Sequence, residues 1–141
     1  VIKGEDASRL VSLAVSADGE LVSEYFCDGL IFSSPTGSTA YNLSAGGPLV
    51  HPKAGVVAMT PICPHTLSNR SVVFPDNTRL EVKWDQSATH PQVKIDGYQT
   101  LRPSGDGKIP IVISPSQKKI SLLQSRGHSH FSVVRNKLNW R

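Results

Sequence analysis

Apolar and polar residues alternate with a period of two along much of this chain. Arg79 to Trp84 is the clearest case: Leu80, Val82 and Trp84 fall on one face and Arg79, Glu81 and Lys83 on the other, the pattern of a half-buried strand. Leu10 to Val15 and Leu21 to Tyr25 are apolar-rich runs joined through Ala17-Asp18-Gly19-Glu20. An Asp-Gly pair in that place predicts a tight hairpin, because Gly tolerates positive φ. Leu30 to Phe32, Val56 to Thr60, Ser71 to Phe74, Val93 to Ile95, Ile109 to Ile113 and Lys119 to Leu123 add short strands, some closed by Pro61, Pro75 or a second Asp-Gly turn at Asp96-Gly97. Many short strands with frequent turn signals predict a mainly β fold, a β-sandwich.

Two stretches leave that period. Thr39 to Ala45 is helix-compatible and is stopped by Gly46-Gly47-Pro48. Ser129 to Trp140 places Phe131, Val134 and Leu138 at i, i+3 and i+7, with Val133, Lys137 and Trp140 broadening the face, which predicts an amphipathic helix over 129–140. A lone helix after a sandwich needs a surface on which to bury that face.

The most informative run is Asp28 to Pro52. A short apolar strand breaks into Ser33-Ser34-Pro35-Thr36-Gly37-Ser38 and runs on into the first helix. Strand, hydroxyl-rich turn and helix start together can present backbone N–H groups and hydroxyls to a polar ligand. The plainer account is that Ser and Thr cap helices and that Pro-Thr-Gly is ordinary turn chemistry.

Composition narrows the classes. At 141 residues the chain suits a single domain with a core of its own. The 15 Lys and Arg against 11 Asp and Glu give a net charge of +4, which suits an anionic ligand. The positive residues are scattered, with Lys118-Lys119, Arg126, Arg135, Lys137 and Arg141 the nearest to a cluster, so a solvated surface is expected and no nucleic-acid partner. No apolar run approaches the roughly 20 residues of a membrane helix, so no membrane partner is expected. No leader peptide opens the chain, and Val1 is not a natural start, so the N-terminus is expected to lie upstream. Cys27 and Cys63 have no metal or redox spacing and are expected to be reduced and part-buried, as in a cytoplasmic protein. His51, His65, His90, His128 and His130 lack a completing carboxylate or cysteine, so no metal site is expected. A serine hydrolase is not indicated, since no Gly-x-Ser-x-Gly elbow surrounds Ser38 or Ser44.

Asp28-Gly29-Leu30-Ile31, Pro35-Thr36-Gly37-Ser38-Thr39-Ala40-Tyr41, Ser44-Ala45-Gly46-Gly47-Pro48 and Pro61-Ile62-Cys63-Pro64-His65-Thr66-Leu67-Ser68 stand in order along the chain. With Lys94-Ile95-Asp96-Gly97 and the segment Phe131 to Trp140, they resemble the successive signatures of NAD kinases, which phosphorylate the adenosine ribose 2′-hydroxyl of NAD to make NADP. The resemblance spans nearly the whole chain and implies a C-terminal, substrate-binding domain. It implies that Thr39, Ala40, Tyr41 and Ser44 hold the NAD, with Asn42 and Leu43 in the same wall, Asp28 as a further dinucleotide contact, and Cys63 and Tyr98 lining the pocket. Two positions depart from the family. Tyr98 stands where many relatives carry Gln or Arg, and Phe26 where bacterial relatives often carry a basic residue.

The family's Gly-Gly-Asp-Gly loop and Asn-Glu pair are absent from this chain, as is a Gly-x-x-x-x-Gly-Lys-Ser/Thr loop. The resemblance therefore implies that ATP, its Mg2+ or other divalent metal, and the catalytic base belong to an N-terminal domain preceding Val1. No catalytic residue is expected here, and this chain alone is expected to be inactive. Helix 129–140 is expected to pack on that N-terminal domain, and the parent enzyme to be a cytoplasmic homotetramer. Two alternatives remain: a non-catalytic dinucleotide-binding module, or the C-terminal half of a lipid kinase relative.

Overall fold

The computed structural model describes residues 1–6, 8–66, 69–85, 89–118, 120–121, 123–127 and 129–140. Ten antiparallel strands form two sheets among these residues: β1 (Ile2–Gly4), β2 (Val11–Ala17), β3 (Glu20–Cys27), β4 (Gly29–Ser33), β5 (Val56–Ile62), β6 (Val72–Pro75), β7 (Leu80–Trp84), β8 (Pro91–Ile95), β9 (Gln99–Leu101) and β10 (Ile111–Ile113). One sheet has the order β6-β5-β4-β1-β8-β9 and the other β10-β7-β2-β3. The predicted sandwich is present.

Side-chain alternation sets which faces meet. Val11, Leu13 and Val15 of β2 and Leu80, Val82 and Trp84 of β7 are buried, and β2 pairs Leu13 with Trp84 and Val15 with Val82. Across from them Ile2, Leu30, Met59 and Phe74 project from the six-stranded sheet, and the two sets make one core. Burying each such side chain contributes about 1.5–3 kcal/mol, so the core outweighs any single polar contact. At the predicted hairpin, Asp18 and Gly19 take φ of 50° and 87° and join Ala17 to Glu20, as a two-residue turn requires.

Several expectations change. Strand β1 is too short to show a period, yet it holds the centre of the larger sheet through β4 and β8. Thr39 to Ala45 is not one helix. A 3₁₀ turn over Thr36–Thr39 is followed by a single α turn, α1 (Tyr41–Ser44), because Ala40 at φ −98° and ψ −134° breaks the helical path. Of the run from Ile109 only Ile111–Ile113 is a strand, and Ile109 is exposed. In the run Lys119 to Leu123, Lys119 and Leu122 lie outside the described residues, and Ile120 and Leu123 are exposed and not in a strand. Cys27 is buried as expected, but Cys63 is exposed.

The last helix, α2 (His130–Leu138), is capped by the Ser129 hydroxyl, which accepts from the Ser132 N–H at 3.3 Å, and ends at Asn139 in the left-handed region. It docks on its own domain: Val134, Lys137 and Leu138 face Thr39, Leu43 and Leu49, and Val134 is buried. His51 meets His130 edge-on and Phe131 at a tilt at the start of the helix. Phe131, Val133 and Trp140 stay exposed. Among the described residues no helix is long and apolar enough to cross a membrane.

Candidate functional site

The loop leaving β4 is held by buried hydrogen bonds. Ser38, fully buried, donates from its hydroxyl to Pro35 O at 2.7 Å and accepts from the Val50 N–H at 3.0 Å, closing the loop on itself. Asn42, also buried, donates from Nδ2 to Ser38 O at 3.2 Å and to Pro48 O at 3.0 Å. Its Oδ1 accepts from Thr60 Oγ1 of β5 at 2.7 Å, and Thr60 in turn meets Ser71 Oγ at 3.0 Å. The side-chain polar atoms of Ser38, Asn42 and Thr60 are thus all paired, as a low-dielectric setting demands.

The glycines of Gly46-Gly47 have different duties. Gly46 has φ of 80° and ends α1, with its N–H on Leu43 O. Gly47 makes room, since a Cβ there would overlap Asn42 Oδ1 and Thr60 Oγ1. Half of the hydroxyl-rich signature thus builds the loop.

The other half faces a cleft of about 560 Å3, within the range of small-molecule sites. Its floor is Ile31, Phe32 and Ser33 of β4, and one wall is Ser34, Gly37, Ala40, Tyr41 and Asn42. The facing wall is Val1 and Lys3 beside Lys94, Asp96 and Gly97. A second cavity of about 170 Å3 lies against Gly4, Asp6, Arg9, Asp28 and Ile62, and shares Lys3 and Tyr41 with the first. Tyr41, 55% exposed, is available to lie against a planar group.

The nine sequence-predicted residues therefore divide. Ala40, Tyr41 and Asn42 line the larger cleft, and Asp28 joins Tyr41 in the smaller one. Asn42 contributes surface only, because its amide is spent within the loop. Thr39 and Leu43 face α2, Ser44 is exposed and lines neither cavity, and Tyr98 is 80% exposed at the β8–β9 turn. Cys63, in the left-handed region at φ 44°, lines neither cavity but hydrogen-bonds the Asp28 carboxylate, which pushes its thiol up. It orients Asp28 more directly than it could touch a ligand in the main cleft. Sequence reasoning missed Lys3 and Lys94 as site residues; the signal available was Lys94 beside the Asp96-Gly97 turn.

Known proteins share this sequence and this fold. The family model of the ATP-NAD kinase C-terminal domain matches residues 1–123. This chain belongs to the NAD kinase family. It is 39% identical over 99% of its length to the NAD kinase of Syntrophobacter fumaroxidans and 41% identical over 99% to that of Thiobacillus denitrificans. It spans about half of each relative, 49% and 48%. Among solved structures, a yeast NADH kinase complexed with NADH superposes with a TM-score of 0.64 at 34% identity, covering 77% of this chain and 30% of that one. An NAD kinase from Archaeoglobus fulgidus in complex with ATP gives 0.68 at 26%, covering 82% and 47%. This membership displaces the lipid kinase alternative.

Proposed function

We propose that this chain is the NAD-binding domain of an enzyme that transfers a phosphoryl group from ATP to the adenosine ribose 2′-hydroxyl of NAD. The observation that carries the reading is the Tyr41 wall, anchored by the Asn42–Thr60 hydrogen bond, facing a cleft of about 560 Å3. Tyr41 would stack on a base, Ala40 and the Ser33–Ser34 segment would supply polar edges, and Asp28 would accept hydrogen bonds from a ribose or amide in the smaller cavity. Thr39 and Leu43 would support this wall from the side of α2, and Ser44 would act from its exposed place in α1. Cys63 would act through Asp28, and Tyr98 would reach ligand only across a neighbouring chain.

Phosphoryl transfer needs the triphosphate, a divalent metal and a group that orients the hydroxyl. Among the described residues no three His, Cys, Asp or Glu side chains gather into a cage for a metal ion. The reading assigns the metal, ATP and the base to an N-terminal domain, and to this chain the proximity and orientation of the acceptor hydroxyl. Alone it would bind without turnover. The free thiols of Cys27 and Cys63 fit a reducing cytoplasm, and exposed Phe26, Tyr98 and Leu101 fit burial against further copies in a homotetramer.

The test is an NADP-forming assay with NAD, ATP and magnesium on the two-domain enzyme, with this chain run beside it. Tyr41→Ala and Asp28→Ala should each raise the KM for NAD about ten-fold, with melting unchanged. Normal NAD kinetics in both variants would overturn the site.

A further inference from the structure

Lys3 and Lys94 are two cations placed by strand pairing. The N–H of Lys94 donates to Val1 O at 2.7 Å, and β1 pairs Ile2 with Val93 and Lys3 with Gln92. Ile2 is buried in the core and Val93 packs against it, so the alternate residues Lys3 and Lys94 share the opposite face. Diagonal neighbours of this kind lie about 7–8 Å apart. Both are half-buried, both line the large cleft, and among the described residues neither has an ion-pair partner. Arg9, the other cation at the small cavity, is already paired with Asp6 at 3.5 Å. Asp96 is the one acid on the larger lining, against two lysines.

Two like charges on one half-buried face repel, and burial weakens their hydration. Such a pair adds little to folding, and a bound anion would offset both costs. Its position is specific. Lys3 and Tyr41 form the boundary between the two cavities, one large enough for a nucleoside and its sugar, the other smaller and bearing Asp28. A molecule made of two nucleosides joined by a diphosphate must run its linker across that boundary.

We infer that Lys3 and Lys94 form the diphosphate subsite of this cleft, with Lys3 at the crossing between cavities and Lys94 on the side of the larger one. The ammonium groups act as point charges on phosphate oxygens. This inference rests on the dinucleotide reading and names a subsite within it.

The experiment measures binding to this chain by calorimetry, with NAD, inorganic pyrophosphate and adenosine as separate probes. Lys3→Gln and Lys94→Gln should each weaken NAD about ten-fold, the loss of one charge-assisted contact. The double variant should lose measurable pyrophosphate binding and much of the salt dependence of NAD binding, while adenosine affinity stays as in the wild type. Circular dichroism confirms that each variant folds, and Lys3→Arg should restore part of the NAD affinity. Unchanged NAD and pyrophosphate affinities in the double variant would overturn the subsite, as would an equal loss for adenosine. If wild type binds pyrophosphate through these lysines but neither NAD nor adenosine, the subsite stands as an anion site and the dinucleotide reading fails.

Discussion

Thr60 Oγ1 donates a 2.7 Å hydrogen bond to Asn42 Oδ1, joining the middle of β5 to the loop that carries Tyr41. Both side chains are almost wholly buried, at 1% exposure each. The bond fixes the amide so that its nitrogen faces Ser38 O and Pro48 O, and one side chain thereby ties two points of the loop to β5.

Thr60→Val keeps the shape but removes the donor, leaving Asn42 Oδ1 buried and unpaired. It should cost about 1–3 kcal/mol in urea denaturation. NAD affinity should also fall, since the Tyr41 wall loses its anchor. A fully stable variant would show that the loop is held by its own turn chemistry.

Gly46 and Gly47 should respond differently to alanine. At Gly46 there is open space, and only the left-handed backbone is penalised, by about 1–2 kcal/mol. At Gly47 the new methyl overlaps the Asn42–Thr60 pair, so the loss should be larger, about 3 kcal/mol or more. Thermal melts of the two variants order the costs directly, and Gly46→Ala melting below Gly47→Ala would refute the packing role.

Val134→Ala should loosen α2 without touching the sandwich. Val134 is the helix's buried anchor over Leu43 and Leu49, and a nine-residue helix is marginal without tertiary contact. Hydrogen exchange should speed up over 130–138 while β2 and β7 keep their protection. Uniform protection across the chain would mean that α2 does not depend on this contact.

Burial pushes the Cys27 thiol from 9.0 up to about 11 and raises the Tyr25 phenol as well. Both groups are acids whose neutral form is favoured in the fold. Their contribution is fully present below pH 9 and is lost as pH rises, because the unfolded chain releases its thiol proton first. Stability should fall by roughly 2–3 kcal/mol between pH 9 and about 11. Cys27→Ala should remove most of that fall, leaving the smaller part due to Tyr25. Denaturation midpoints at stepped alkaline pH check the sign and the window.

The sandwich was legible because its signals are local. Leu80, Val82 and Trp84 announce their face by alternation, and Asp18-Gly19 announces its turn by chemistry. Ser129 and Asn139 bound the last helix within its own turns. Tyr41 and Asp28 were legible through the family's motifs, and each lines a cavity.

What remained hidden depends on residues far apart in the chain. Asn42 reads as part of a binding wall until Thr60, eighteen residues on, claims its oxygen. Cys63 reads as a part-buried thiol lining the pocket until the end of β5 places it in solvent beside Asp28. Helix α2 reads as one amphipathic face until Val134 turns in over Leu43 and Leu49 and leaves Phe131, Val133 and Trp140 exposed. Lys3 and Lys94 read as scattered surface charge until β1 and β8, some ninety residues apart, pair in one sheet. Sequence by itself determined most of the strands and turns, and the family, because backbone preference and side-chain period act over a few residues. Only the tertiary structure decided which polar atoms are consumed by folding and which remain for a ligand, because a hydrogen bond or a charge is spent on whatever neighbour the fold supplies.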